Sequence, residues 1–392
     1  MSRTTKPTIR HWLEYFAYRI FEGLINLISL RTTFKLGAFI GSLMYRFSRT
    51  RRRQVIRNLT FAFGDEKSRQ EITELAEEVF QRNGANFLSS LKTPFLSDQE
   101  LLKHITFEGF ETLDQEIAKG GVTLVSPHMG NWELLAQAIF LTGRDIQAGT
   151  HYRPLNNPLV DAVVARRRKR RGLHLFEKRT SSHRLISFVR ERSVLAILAD
   201  QRVGKQGQAG IFFGRPTTCS PLPHIIAKRA RASLATLSCI TTGTCQWKIT
   251  YKTIPTLTAQ GCADGNEELW RSSPSDVFWF EDRWRIQGKA ALGFLGKYQD
   301  AEIPRRLRFV NLTSEAPPKN LPTNTLTLES KILDFGQSDH ELQSALEEIN
   351  DAKNTPVDVY ICPLDQKARV KKLTNRAGTF SIDDLESIST SW

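Results

Sequence analysis

Apolar side chains at Ile72, Leu75, Ala76, Val79 and Phe80 recur every three or four residues, one face of a helix, and predict helices over residues 68–104. Beyond that point the pattern changes. Short apolar runs bounded by Gly, Pro and Asn predict strands at Val122–Ser126, Ile146–Tyr152, Val194–Ala199, Leu234–Ile240 and Trp247–Ile254. Between them, helical periodicity predicts helices near 131–142, 157–171, 181–192, 221–232 and 267–286. Strands alternating with helices imply an α/β protein with a mixed central sheet flanked by helices. In such sheets functional residues gather where strands end, and His128, Arg153, Asp200 and Gly214 all follow predicted strand ends.

The two ends of the chain read differently from this middle. Trp12–Leu30 is apolar-rich but interrupted by Glu14, Arg19 and Glu22, and no small-residue cleavage site follows it. A spanning helix needs about twenty mostly apolar residues, and charges at mid-bilayer are costly, so an interfacial, membrane-associating helix is favoured over a spanning one. Leu36–Phe47 adds a second apolar tract, followed by Arg49, Arg51, Arg52 and Arg53, a cluster suited to an anionic membrane surface. An ordinary amphipathic pair of core helices remains the alternative. Past Gly288, the stretch Ala316–Thr325 is Pro-rich and reads as a linker or long loop. Beyond it Asp339–Ile349 reads as a helix and Val357–Cys362 as a strand, while Phe380–Ile388 suits either. The expected organisation is a membrane-associating region over 1–66, a main domain over 67–287, and a small C-terminal extension of unread role over 288–392.

Composition narrows the function classes. The 392 residues, 40% hydrophobic and 24% charged, are neither disordered nor polytopic. Lys and Arg number 55 against 41 Asp and Glu, for a net charge of +14; residues 331–392 hold seven basic and eleven acidic side chains, which leaves +18 on residues 1–330. A basic surface suits anionic lipid headgroups, phosphorylated glycolipids, an acidic carrier protein or nucleic acid. Nucleic acid is disfavoured, because no binding module is recognisable and no aromatic residues interleave the basic run Arg166–Arg171. The five cysteines, Cys219, Cys239, Cys245, Cys262 and Cys362, form no C-x-x-C pair, which fits a reducing compartment rather than a disulfide scaffold or zinc site.

The chemistry concentrates in Gly121–Phe140, GVTLVSPHMGNWELLAQAIF. His128 stands in the turn after a strand, and Glu133 in the first turn of the helix that follows, with Asn131 as N-cap. On one continuous helix a separation of five would turn the two side chains roughly 140° apart; the turn removes that obstacle and lets Glu133 reach one imidazole nitrogen. The other nitrogen would serve as a base, and the helix N-terminus favours a neutral ring. The Met129–Trp132 backbone N–H groups are candidate oxyanion donors. A purely structural histidine is the competing reading. No G-x-S-x-G elbow and no Cys/His motif occurs, so direct transfer is expected without a covalent intermediate. Neither H-E-x-x-H nor a third ligand stands near His128, so no metal and no cofactor are expected. Asp200 is open to four readings: positioning a base, binding a polar headgroup, capping a helix, or forming a salt bridge. Arg153, Arg168 and Arg170 suit phosphate or carboxylate groups through their two-pronged geometry, although six consecutive basic residues cannot all face one ligand.

SPHMGNWELL also resembles the H-x4-E motif of the lysophospholipid acyltransferase superfamily, in the HxGNWE form of the bacterial lipid A late acyltransferases. His151–Gly172 is similar to that family's YRPxxNPxxD block, with Asp161, Arg168, Arg170 and Gly172 in register, and Leu195–Gly204 to its strand ending in Asp-Gln. Ile211–Thr218 resembles its Phe-Phe-Gly-x-Pro block, Phe278–Arg285 its closing helix, and Arg51–Gly64 its N-terminal helix. Glu281 and Asp282 stand where His and Arg are usual, and Leu222 and Arg231 where glycines are usual. The resemblance implies a glycerolipid acyltransferase-like fold and an O-acyltransferase at the cytoplasmic face of the inner membrane. It implies an acyl carrier protein or CoA thioester as donor, an anionic glycolipid, foremost a lipid A precursor, as acceptor, catalysis by His128 and Glu133 with Asp200 assisting, and substrate contacts from Arg153, Arg168, Arg170, Gly214 and Arg215. The alternatives are acylation of another glycolipid or a lysophospholipid from acyl-CoA, or a noncatalytic membrane adaptor.

Overall fold

The computed structural model describes residues 6–204, 206–286, 292–298, 302–318, 321–352, 355–374 and 377–389. The chain gathers into two compact units, Met1–Met44 with Glu78–Asp200 and Pro221–Phe278, and Tyr45–Glu77 with Gln201–Ser220 and Trp279–Trp392. Gly288, where the main domain was expected to end, lies outside the described residues, as do residues 319–320 of the Pro-rich stretch.

The first unit is built on a mixed sheet of seven strands: β1 (Ile105–Glu108), β2 (Val122–Ser126), β3 (Ala148–Tyr152), β4 (His174–Glu177), β5 (Val194–Leu198), β6 (Ser233–Gly243) and β7 (Gln246–Thr253). Their spatial order is β1-β7-β6-β2-β5-β3-β4, and every pairing is parallel except the β6–β7 hairpin. β2 lies at the centre and is buried along its whole length, the expected state of a parallel strand covered on both faces. Leu124 and Val125 point to opposite faces and join separate cores, one with Leu134, Ala138 and Leu141, the other with Leu185, Val189, Ile226 and Ala227. Each such buried aliphatic side chain contributes roughly 1.5–3 kcal/mol.

Four predicted helices are found shortened, at Leu135–Leu141, Pro158–Lys169, Ser182–Arg190 and Leu222–Ala230. The fifth is displaced. It runs over Ala259–Ser272, started by Thr258, whose side chain accepts from the Gly261 N–H, and Phe278–Arg285 is not helical. Pro274 opens a 3₁₀ turn just after it, and the backbone beyond is bonded to the loop that carries His128. Asn131 also departs from expectation: its side chain caps nothing, and a 3₁₀ turn over Trp132–Leu134 precedes the α-helix.

The N-terminal helices Ile9–Leu27 and Leu30–Phe47 are present, and among the described residues no helix is long and apolar enough to cross a membrane. Ile9, Trp12, Leu13, Phe16, Ile20, Leu24 and Leu27 are all exposed, and at 100° per residue they fall within an arc of roughly 120°. On the second helix, Gly37 and Gly41 let the backbone meet the helix Arg69–Lys92 directly. A Cβ at either position would lie 2.4 Å from the Gly84 carbonyl oxygen or 2.1 Å from that of Phe80.

The second unit holds a parallel sheet of β8 (Leu307–Asn311), β9 (Leu326–Ser330), β10 (Val359–Ile361) and β11 (Gly378–Phe380), in the order β9-β8-β10-β11. The helix Asp339–Asp351, begun by a Ser338/Glu341 capping box, links β9 to β10. Val357–Cys362 contains the predicted strand, and the ambiguous Phe380–Ile388 ends one strand and begins the helix Ile382–Ser389. The hairpin Gln208–Phe212/Arg215–Cys219 and the helix Arg49–Phe63 belong to this unit.

Candidate active site

β2 and β5 pair in parallel with Ser126 opposite Leu198, so two residues further on each strand's exit brings His128 opposite Asp200. The Asp200 carboxylate spans the gap with both oxygens: Oδ1 lies 2.7 Å from His128 Nδ1, and Oδ2 accepts from the His128 backbone N–H at 2.7 Å. Asp200 is 4% exposed, whereas the His128 side chain keeps 20% of its surface open. Burial alone pushes the Asp200 carboxyl up; the His128 charge, its ring bond and its backbone N–H outweigh that and hold it below the usual range. Asp200 is thus the carboxylate that meets the imidazole.

The loop beyond His128 is anchored from three sides. Gly130 has φ +58, and a Cβ there would meet the Cys239 carbonyl oxygen at 2.0 Å, so this close approach suits glycine alone. The Gly130 N–H donates to the Asp276 carbonyl and the Phe278 N–H to the His128 carbonyl, while Met129 bridges to Val277. Met129 and Gly130 N–H groups are thus spent on backbone carbonyls, at Pro127 and Asp276, and two of the expected oxyanion donors are withdrawn. Below the loop, the buried Asp276 carboxylate accepts from the Thr241 backbone and hydroxyl, at 2.7 Å each, and from Asn86 at 3.1 Å. Burial leads in raising the Asp276 carboxyl above its ordinary value.

Glu133 does not orient the imidazole as expected, because Nδ1 is taken by Asp200 and both Glu133 oxygens face one guanidinium. Arg168 Nε lies 3.0 Å from Oε2 and Nη2 2.5 Å from Oε1. Burial opposes the Arg168 charge, but the Glu133 charge and bond prevail and raise its pKa. Arg168 is thus paired with Glu133, and Arg170 donates to the Pro94 carbonyl at 3.1 Å. Arg167 pairs with Glu22, and Arg171 with Asp98 and Gln137. Arg153 is exposed beyond β3. Much of the basic run is tied down.

Residues 3–286 match the family described as bacterial lipid A biosynthesis acyltransferase. The chain belongs to that family. It is similar to the lipid A biosynthesis lauroyltransferase of Escherichia coli (strain K12), 28% identical over 153 residues, covering 39% of this chain and 48% of that protein. It is also similar to a lipid A biosynthesis acyltransferase of Haemophilus influenzae, 24% identical over 223 residues, covering 56% of this chain and 68% of that one. The match thus spans about half the length of the first relative.

In this member of the family, Gly214 and Arg215 both belong to the second unit's hairpin. Gly214 turns the second unit's hairpin with φ +69, and Arg215 is completely buried, its Nη2 2.7 Å from both oxygens of Asp358 and its guanidinium 4.1 Å above the Phe61 ring. A side chain with no accessible surface cannot meet a substrate, so its expected binding role is withdrawn. Phe212 and Phe213, beside them on the hairpin, are buried against Trp284. Asp358 lies 143 residues along the chain, and no local spacing could have revealed it.

Proposed function

We propose that this chain moves a fatty acyl group from an acyl thioester to a hydroxyl of a lipid A precursor, with His128 as general base oriented by Asp200. The family match supports the class of reaction, and the two-bonded His128–Asp200 pair carries the mechanism. Asp200 fixes Nδ1, so Nε2 takes the proton of the acceptor hydroxyl as that oxygen attacks the thioester carbonyl. The tetrahedral intermediate collapses, the C–S bond breaks, and the thiolate recovers the proton from the imidazolium. The products are an ester and a free thiol, with no acyl-enzyme. Asp200 stabilises the imidazolium in between. Glu133, held by Arg168, is a positioning residue that ties the helix Pro158–Lys169 to the loop of His128.

The donor reading is an acyl carrier protein or CoA, and the acceptor an anionic glycolipid, with Arg153 the exposed arginine available to it. The exposed apolar arc of Ile9–Leu27, joined by Phe39 and Leu43 on the next helix, supports attachment to a membrane surface without crossing it, which we assign to the cytoplasmic face of the inner membrane. Purified protein in mixed micelles, given lauroyl-carrier thioester or lauroyl-CoA and a tetra-acylated, bis-phosphorylated glucosamine disaccharide, is expected to release thiol and form ester. His128→Ala is expected to lower the rate by about 10²–10⁴-fold. Equal turnover by both proteins would overturn the mechanism.

A further inference from the structure

The second unit contains a cavity of about 410 Å³ whose charged lining is entirely basic: Arg202, Arg283, Arg285 and Lys297. Thr217 and Thr218 also line it, their hydroxyls donating to the Arg283 and Val203 carbonyls. Among the described residues Arg202, Arg283 and Lys297 have no carboxylate at ion-pair distance, while Asp282 lies 3.6 Å from Arg285. Arg283 is 4% exposed. Its Nη1 donates to the Thr218 carbonyl at 2.6 Å and its guanidinium lies 4.9 Å over the Phe212 ring, while its Nε is buried without a hydrogen-bond partner. Burial, then the charges of Arg285 and Arg283, push the Arg202 pKa down. Four cations gathered around one cavity repel one another, and a buried guanidinium with an unused N–H is costly unless an anion answers it.

We propose that this cavity is a phosphate-binding site, which takes a phosphate monoester through the forked donors of its arginines. A doubly charged phosphate relieves the mutual repulsion and offers several acceptor oxygens to the N–H groups of the lining arginines. The cluster is tied in sequence to the proposed chemistry: Arg202 follows Asp200 by two residues, and Arg283 follows Phe278 by five. Two sources could bring the phosphate, a phosphorylated glycolipid acceptor or the 3′-phosphate of a CoA donor.

Phosphorus-31 NMR of glucosamine 1-phosphate titrated with the full-length protein reads the site without turnover, so its failure and failure of the acyl-transfer reading are separate results. Line broadening reversed by inorganic phosphate but not by glucosamine is expected. Arg285→Gln combined with Lys297→Gln, both away from the buried Arg283, should weaken binding at least tenfold while circular dichroism stays unchanged. Unaltered binding in that variant, or competition by glucosamine as strong as by phosphate, would overturn the site. Coenzyme A against its 3′-dephospho form then assigns the source: a tenfold preference for coenzyme A that the double variant loses points to the donor, and no such preference points to the acceptor.

Discussion

Each unit of this protein contains a buried aspartate bound to a basic side chain, and the two pairs differ in what they leave open. Asp358 encloses Arg215 with neither side chain reaching solvent, whereas Asp200 is sealed and its partner His128 keeps a fifth of its surface accessible. The contrast lies in geometry more than in residue type. A sealed pair fastens parts of a core, while a pair open on one side only passes the orientation of a buried carboxylate to a group that solvent or substrate can reach. Arg215 has to be read with the apolar contacts around it and His128 with what lies beyond it.

The sharpest way to break this contrast is to neutralise the open pair. Asp200→Asn is expected to cut acyl transfer by up to about 10⁴-fold, with thermal melting moved by only a few degrees; a large stability loss with proportionate activity would assign Asp200 to scaffolding. Arg215→Ala should do the reverse. Leaving Asp358 buried and unpaired costs about 3–5 kcal/mol, to be seen in urea unfolding, with the activity of the remaining folded fraction retained. The pH response separates the pairs again. Because the folded Asp200 carboxyl is held below its ordinary 3.8, its ionisation contributes stability above that pH, and this is lost as pH falls through the lower folded value. The stability gap between wild type and Asp200→Asn should therefore close on acidification below pH 3.8 and hold above it. The smallest effect concerns scaffold alone: Arg231 caps the helix Leu222–Ala230 in the left-handed conformation at φ 56, and Arg231→Gly should raise stability by about 1 kcal/mol with turnover unchanged.

Much of the first unit was legible from periodicity. Val122–Ser126 is predicted and observed with the same bounds, because an apolar run flanked by Gly121 and Pro127 has few other solutions. The short strand His174–Glu177 escaped, since only Leu175 and Phe176 in its middle are apolar, between exposed His174 and Glu177. The error at 267–286 has a definite cause: the backbone around Phe278 is committed to the His128 loop, a pairing far away in sequence. The choice between Glu133 and Asp200 turned on distance along the chain. Spacing within one motif suggested Glu133, five residues away, while the partner came from the neighbouring strand. Had β2 and β5 been paired in register from their matching apolar runs, positions 128 and 200 would have met.

Arg167 and Arg168, side by side on one helix, reach in different directions: the first holds Glu22 of the opening helix, the second holds Glu133 beside the histidine loop. That makes a two-jointed linkage. Through these neighbouring guanidinium groups the helix Pro158–Lys169 braces the opening helix on one side and the segment beside the imidazole on the other.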